Sequence, residues 1–236
     1  MKKYYTRACN FTYGKLSIKL VNGKKNLPLK GNKEISFDEI EIISRNSKKI
    51  INIKDIKNLP KLLKIKVKKD LNIIIKKNKN FANLNFKKLP NLMGVLNLTP
   101  DSFSDGGRFN KKSKGITHAI NLFKFGSNII DVGGESTRPG SKTVSDYKEW
   151  KRIESTIKKI SKKIPLSLDT RKSEIMKKGI KLGVKIINDV SGLEYDLKTV
   201  QVLKEYKIPF VIHHSQGTPE NMQIKPSYKN VLLDIY

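Results

Sequence analysis

From residue 91 onward, short apolar runs suited to buried strands alternate with amphipathic stretches at helical spacing, and this alternation confines the chain to the α/β class. Met93–Asn97, Ile129–Val132, Pro165–Asp169, Lys185–Asn188 and Phe210–His213 read as strands. Between them Ile116, Ala119, Ile120 and Phe123 fall on one helical face, and Trp150, Ile153, Ile157 and Ile160 fall on another. Ile175, Met176 and Ile180 mark a third helix, Leu197, Val200 and Leu203 a fourth, and a last one is expected to begin near Ser227. Five β/α units fit either an open doubly wound sheet or part of an eightfold barrel, and spacing alone does not choose. Polar residues help: Asn97, Asp131, Asp169, Asn188 and His213 or His214 stand at the C-terminal ends of successive strands. In a barrel those ends ring one mouth; in an open sheet they are spread along an edge.

The first 90 residues differ in style. Leu16, Ile18 and Leu20, and again Ile35 and Phe37, alternate with polar residues as in short strands. Beyond Lys48 the chain is rich in Lys, Ile, Leu and Asn, and Pro60 interrupts either a basic helix or more strand. We therefore expect a small basic α+β region over residues 1–90, of a role the sequence does not reveal, ahead of a main domain over 91–236. The formal net charge of +28 suggests nucleic acid at first sight. Against that, only six of the 49 basic residues are Arg, the residue suited to forked phosphate contacts. Cys9 is the only cysteine, which excludes a disulfide framework and a thiolate metal site. No run approaches the roughly 18 apolar residues of a membrane span, so a cytoplasmic protein without a membrane partner is expected.

Four segments carry chemistry. Asn97-Leu98-Thr99-Pro100-Asp101-Ser102-Phe103-Ser104-Asp105-Gly106-Gly107 is a strand end opening into a polar loop able to close over a ligand. Asn97 suits Mg²⁺, which takes few protein ligands, and Asp101 and Asp105 could assist; the same text also reads as a self-bonded turn. Asp131-Val132-Gly133-Gly134-Glu135-Ser136-Thr137-Arg138-Pro139-Gly140 pairs close-approach glycines with a hydroxyl and a guanidinium, as an anion loop does, or as an ordinary turn does. Asp169 and Asn188 could read the edge of an amino-pyrimidinone ring, or serve as a helix cap and a turn residue. His213 and His214 precede Ser215-Gln216-Gly217-Thr218-Pro219; adjacent strand residues face opposite ways, so a two-histidine metal site is not expected.

Taken together and in order, Met93–Gly107, Asp131–Gly140, Leu168–Thr170, Ile187–Gly192 and His214–Pro219 resemble the dihydropteroate synthase family over residues 91–236. The resemblance implies a TIM (β/α)8-type barrel, with about five units present. It implies condensation of 6-hydroxymethyl-7,8-dihydropterin diphosphate with p-aminobenzoate to give 7,8-dihydropteroate and pyrophosphate. Carried over by position, Asn97 would bind Mg²⁺, Asp169 and Asn188 would hold the pterin, and Thr137 and Arg138 would form the anion-side loop. Phe103 and Pro139 would wall the p-aminobenzoate pocket, and Asp105 would act as the nearest thing to a catalytic side chain. A homodimer is compatible with the resemblance.

Two departures from the family pattern are visible. His213 stands where the family commonly has methionine, and the family's later carboxylate, lysine and arginine–histidine pair have no counterpart before Tyr236. A chain stopping there, inside an expected helix, is expected to be a fragment or an incomplete product that does not turn over substrate. Two alternative functions compete with this reading: a methyltetrahydrofolate-binding methyltransferase barrel, which would not need the Asp101–Gly107 loop, and a non-catalytic basic binding protein.

Overall fold

The computed structural model describes residues 4–77, 79–82, 84–85, 90–99, 112–138, 140–217, 221 and 224–235. Phe103, Asp105 and Pro139, together with Asp101, lie outside the described residues. The chain forms two compact units: Met1–Lys79 with Tyr228–Tyr236, and Asn80–Ser227. The final segment groups with the first unit, where Arg45 Nη2 meets Asp234 Oδ1 at 3.3 Å.

The first unit contains β1 (Tyr5–Tyr13), α1 (Gly14–Asn22), β2 (Leu27–Leu29), β3 (Asn32–Ser44), β4 (Ser47–Asn52), a 3-10 turn over Ile53–Asn58 and α2 (Lys61–Ile75). The long β3 pairs antiparallel with β1, β2 and β4. Phe37, Ile40, Ile42, Ile56, Leu59, Val67 and Leu71 make its core. Leu16, Ile18 and Leu20 are helical here, not a strand as their alternation predicts. Two features override the alternation: Gly14 turns the chain at φ +64°, and the buried position is polar Ser17, whose hydroxyl donates to Lys33 O at 2.7 Å. Past Pro60 the basic text is helix rather than strand, with Val67 and Leu71 at i, i+4 on its buried face.

The second unit repeats strand and helix: β5 (Met93–Asn97), α3 (Lys112–Lys124), β6 (Ile129–Gly133), α4 (Asp146–Ile160), β7 (Leu166–Asp169), α5 (Ser173–Lys181), β8 (Ile186–Asp189), α6 (Thr199–Tyr206) and β9 (Phe210–Ile212). All five strands are parallel, in the consecutive order β5-β6-β7-β8-β9. A doubly wound sheet reverses order at its switch point; this one does not, which is the arrangement of a barrel wall. Leu96, Ile130, Val132, Leu166, Leu168 and Ile187 point one way, into a core shared with Ala119, Ile153, Ile157, Ile160, Ile175, Met176 and Val202 of the helices. The opposite face carries the polar residues, above a small apolar layer of Ile129, Ile186 and Leu84. The last helix, α7 (Val231–Ile235), begins four residues later than expected from Ser227, where Asn230 Oδ1 accepts from Leu233 N at 3.2 Å. No helix among the described residues is long and apolar enough to cross a membrane.

Candidate functional site

Strand register decides which polar side chains meet. Asn97 pairs with Gly133, Gly133 with Asp169, and Asp169 with Asn188, so four successive strand ends form one row. Gly133 is small for a reason: a Cβ there would lie 3.1 Å from Asn97 Oδ1 and 3.4 Å from Asp169 Oδ2. Its absence lets the flanking amide and carboxylate lean over the middle strand. Asp131 lies two residues earlier on β6 and therefore on the same face, paired with Ser167 of β7.

Asn188 Nδ2 donates to Asp131 Oδ2 at 3.0 Å, reaching from β8 across β7 to β6. Strands two apart in a flat sheet are separated by roughly 9.5 Å, so this bond requires the polar face to be concave. The same bond replaces the turn-residue reading of Asn188. Asp169 likewise caps no helix: α5 starts at Ser173 with Lys172 at its N-cap and no side-chain cap bond. Burial pushes the Asp169 carboxyl well above the usual range, and the neighbouring acids Asp131, Glu149, Asp189 and Glu135 push it further. Burial also raises Asp131, only partly offset by the Ser167 hydroxyl and the Asn188 amide beside it. The row is an acidic, desolvated recess that favours N–H donors or cations.

Beside the row lies a buried ionic network that the sequence did not disclose. Glu135 Oε2 receives Arg171 Nε at 3.0 Å, and its Oε1 receives Lys172 Nζ at 3.1 Å and the Val144 N–H at 2.8 Å. Lys172 Nζ also donates to Glu149 Oε2 at 2.6 Å and to Val144 O at 2.6 Å, while the Thr170 hydroxyl donates to Glu149 Oε1 at 2.5 Å. Arg171 reaches Thr143 Oγ1 at 2.8 Å and stacks 4.0 Å over the Tyr195 ring. Burial alone would raise Glu135, but Arg171, the Val144 N–H and Lys172 outweigh it and hold the carboxyl below its usual range. For Glu149 burial wins over Lys172 and Thr170, and the carboxyl is raised. Mechanically, the network ties both ends of the loop after β6 to the turn after β7. That loop carries Thr137, half-buried, and Arg138, exposed, and closes on itself through Ser141 Oγ to Ser136 O at 2.6 Å. A usable signal was present: Glu149 falls on the same helical face as Ile153, Ile157 and Ile160, an acid at a core position.

The fifth motif is arranged differently from expectation. β9 ends at Ile212, so His213 lies beyond the strand, exposed, with its N–H 3.4 Å from Asp189 O. Gln216 is structural: its amide donates to Ser227 O at 2.6 Å and accepts from Ser227 N at 2.8 Å. For a metal, no group of three or more His, Cys, Asp or Glu able to hold an ion occurs among the described residues. Asn97 Oδ1, standing over Gly133 at the rim, offers a single neutral oxygen. It fits Mg²⁺ that draws its remaining ligands from water and phosphate, and would not suffice for an all-protein cage.

The parallel strand order and the polar rim at the strands' C-terminal ends define a β/α-barrel-type protein, a class whose sites stand at the barrel mouth. The profile of the family described as pterin binding enzyme matches residues 93–235, and the chain belongs to that family. It is 42% identical over 149 residues to the dihydropteroate synthase of Neisseria meningitidis serogroup C, covering 62% of this chain and 53% of that one. A Yersinia pestis dihydropteroate synthase, solved with a sulfonamide drug complex, superposes with TM-score 0.61 at 36% identity, covering 64% of this chain and 55% of the other. A Burkholderia cenocepacia dihydropteroate synthase complexed with 7,8-dihydropteroate gives TM-score 0.55 at 28% identity, covering 64% and 51%. The chain spans about half the length of the curated relatives it matches.

Proposed function

We propose that this chain carries the pterin-binding half of a dihydropteroate synthase, which joins 6-hydroxymethyl-7,8-dihydropterin diphosphate to p-aminobenzoate with release of pyrophosphate. The observation that carries the reading is the concave row of Asn97, Gly133, Asp169 and Asn188, with Asp131 bonded to Asn188 beneath it. Asp169 offers acceptor oxygens to the ring's N–H groups, and Asn188 offers both a donor and an acceptor. Orientation of the ring leaves its methylene at the rim, where Thr137 and Arg138 on the anchored loop bind the diphosphate. Asn97 would hold Mg²⁺, which would supply charge neutralisation to the departing diphosphate. The amine of p-aminobenzoate attacks the methylene carbon, the carbon–oxygen bond to the diphosphate breaks, and the amine loses a proton; Phe103, Pro139 and Asp105 are the residues proposed for this side of the site. The test is p-aminobenzoate-dependent pyrophosphate release by a polypeptide of the relatives' full length that contains this chain. Loss of release in Asp169→Asn is expected; methyl transfer from methyltetrahydrofolate without pyrophosphate release would overturn the proposal.

A further inference from the structure

Asp131 lies one layer below Asp169 on the concave face, is 7% exposed, and keeps one oxygen, Oδ1, without a hydrogen-bond partner among the described residues. Its other oxygen holds Asn188 Nδ2 at 3.0 Å. An ionised carboxylate accepts hydrogen bonds and donates none, so it can hold only the amine end of that amide. A neutral amide or hydroxyl at the same place would hold either end. With one N–H committed below, Asn188 presents its second N–H and its carbonyl oxygen to the mouth. This pair of one donor beside one acceptor is the arrangement by which an asparagine reads a ring nitrogen next to an exocyclic amine.

We propose that Asp131 is a positioning residue that fixes which way round the Asn188 amide stands, and thereby makes the mouth select a 2-amino over a 2-oxo pyrimidinone ring. The inference rests on the pterin-binding reading for its ligand, though not for the Asp131–Asn188 contact. In a 2-amino ring, the ring nitrogen accepts from Asn188 N–H while the amine donates to its carbonyl. A 2-oxo ring reverses this pattern, with a ring N–H beside a carbonyl, and would bind only after the amide flips. Flipping would turn the Asn188 carbonyl toward Asp131, two acceptors facing one another in a buried place.

The experiment uses the full chain and its Asp131→Asn and Asp131→Ser variants at pH 8, with circular dichroism confirming the fold. In the ligand-free parent, ¹⁵N spectra should show one Asn188 side-chain amide proton shifted downfield and protected from exchange, and both variants should lose that signature. Titration with 6-hydroxymethylpterin and 6-hydroxymethyllumazine should give a preference for the pterin of at least about tenfold in the parent, eroded to about threefold or less in Asp131→Asn. An Asn188 amide signal that is the same in parent and variants overturns the assignment, as does an undiminished preference. A parent that binds neither ring contradicts the pterin reading instead, and the amide spectrum by itself then decides the role of Asp131.

Discussion

Lys172→Met removes the cation at the centre of the buried network, and the hydrogen bonds it breaks set the cost. The Lys172 ammonium, on a side chain 4% exposed, bonds Glu149 Oε2, Glu135 Oε1 and Val144 O. Without it Glu135 keeps Arg171, but Glu149, whose side chain is 0% exposed, keeps only the Thr170 hydroxyl. Breaking a buried pair from one side costs about 3–5 kcal/mol because a charge is left uncompensated. Trp150, the only tryptophan, sits in α4 next to Glu149 and reports unfolding of this unit by fluorescence in urea. Adding Glu149→Gln should recover about 2 kcal/mol of the loss, since the stranded charge is gone. A Lys172→Met cost below about 1 kcal/mol, with no recovery in the double variant, would refute the claim that this network holds the loop ends by paired charge.

Further outcomes are expected at neighbouring positions. A Cβ at Gly134 would meet Glu149 O at 2.8 Å and Ile153 Cγ2 at 2.9 Å, so Gly134→Ala should destabilise by about 1–3 kcal/mol in the same urea assay. Asp169→Asn should stabilise the fold at neutral pH: with the folded carboxyl raised, the native state holds its proton longer, and stability falls as pH climbs above the ordinary aspartate range. Glu135 has the opposite sign. Its depressed folded value contributes stability above the ordinary glutamate range that is lost as pH falls, so Glu135→Gln should flatten the acid limb of a melting-temperature profile.

How much of this is legible in the sequence depends on whether a residue's position follows from local pattern. Strand ends at Asn97, Asp169 and Asn188 can be placed because parallel strands in β/α units announce themselves by apolar runs, and register then aligns them. Asp131 reads as a strand-end residue but lies inside β6, and its role is not legible because its bond to Asn188 spans two strands and depends on sheet curvature. Lys172 and Glu149 are 23 residues apart, and nothing local pairs them. In the first unit, Leu16–Leu20 shows why alternation over five residues is a weak guide: i, i+4 spacing is present in the same text, and the buried Ser17 gives no apolar mark. His213 reads as the end of a strand that in fact stops at Ile212.

Binding of the pterin at the Asp169–Asn188 row is the central claim, and calorimetric titration of 6-hydroxymethyl-7,8-dihydropterin diphosphate into the chain and into Asp169→Asn tests it most directly. The account predicts saturable binding by the parent, and a loss of about 1.5–3 kcal/mol or more in the variant, roughly tenfold or greater in affinity, with its fold intact. Equal affinity for parent and Asp169→Asn would contradict it.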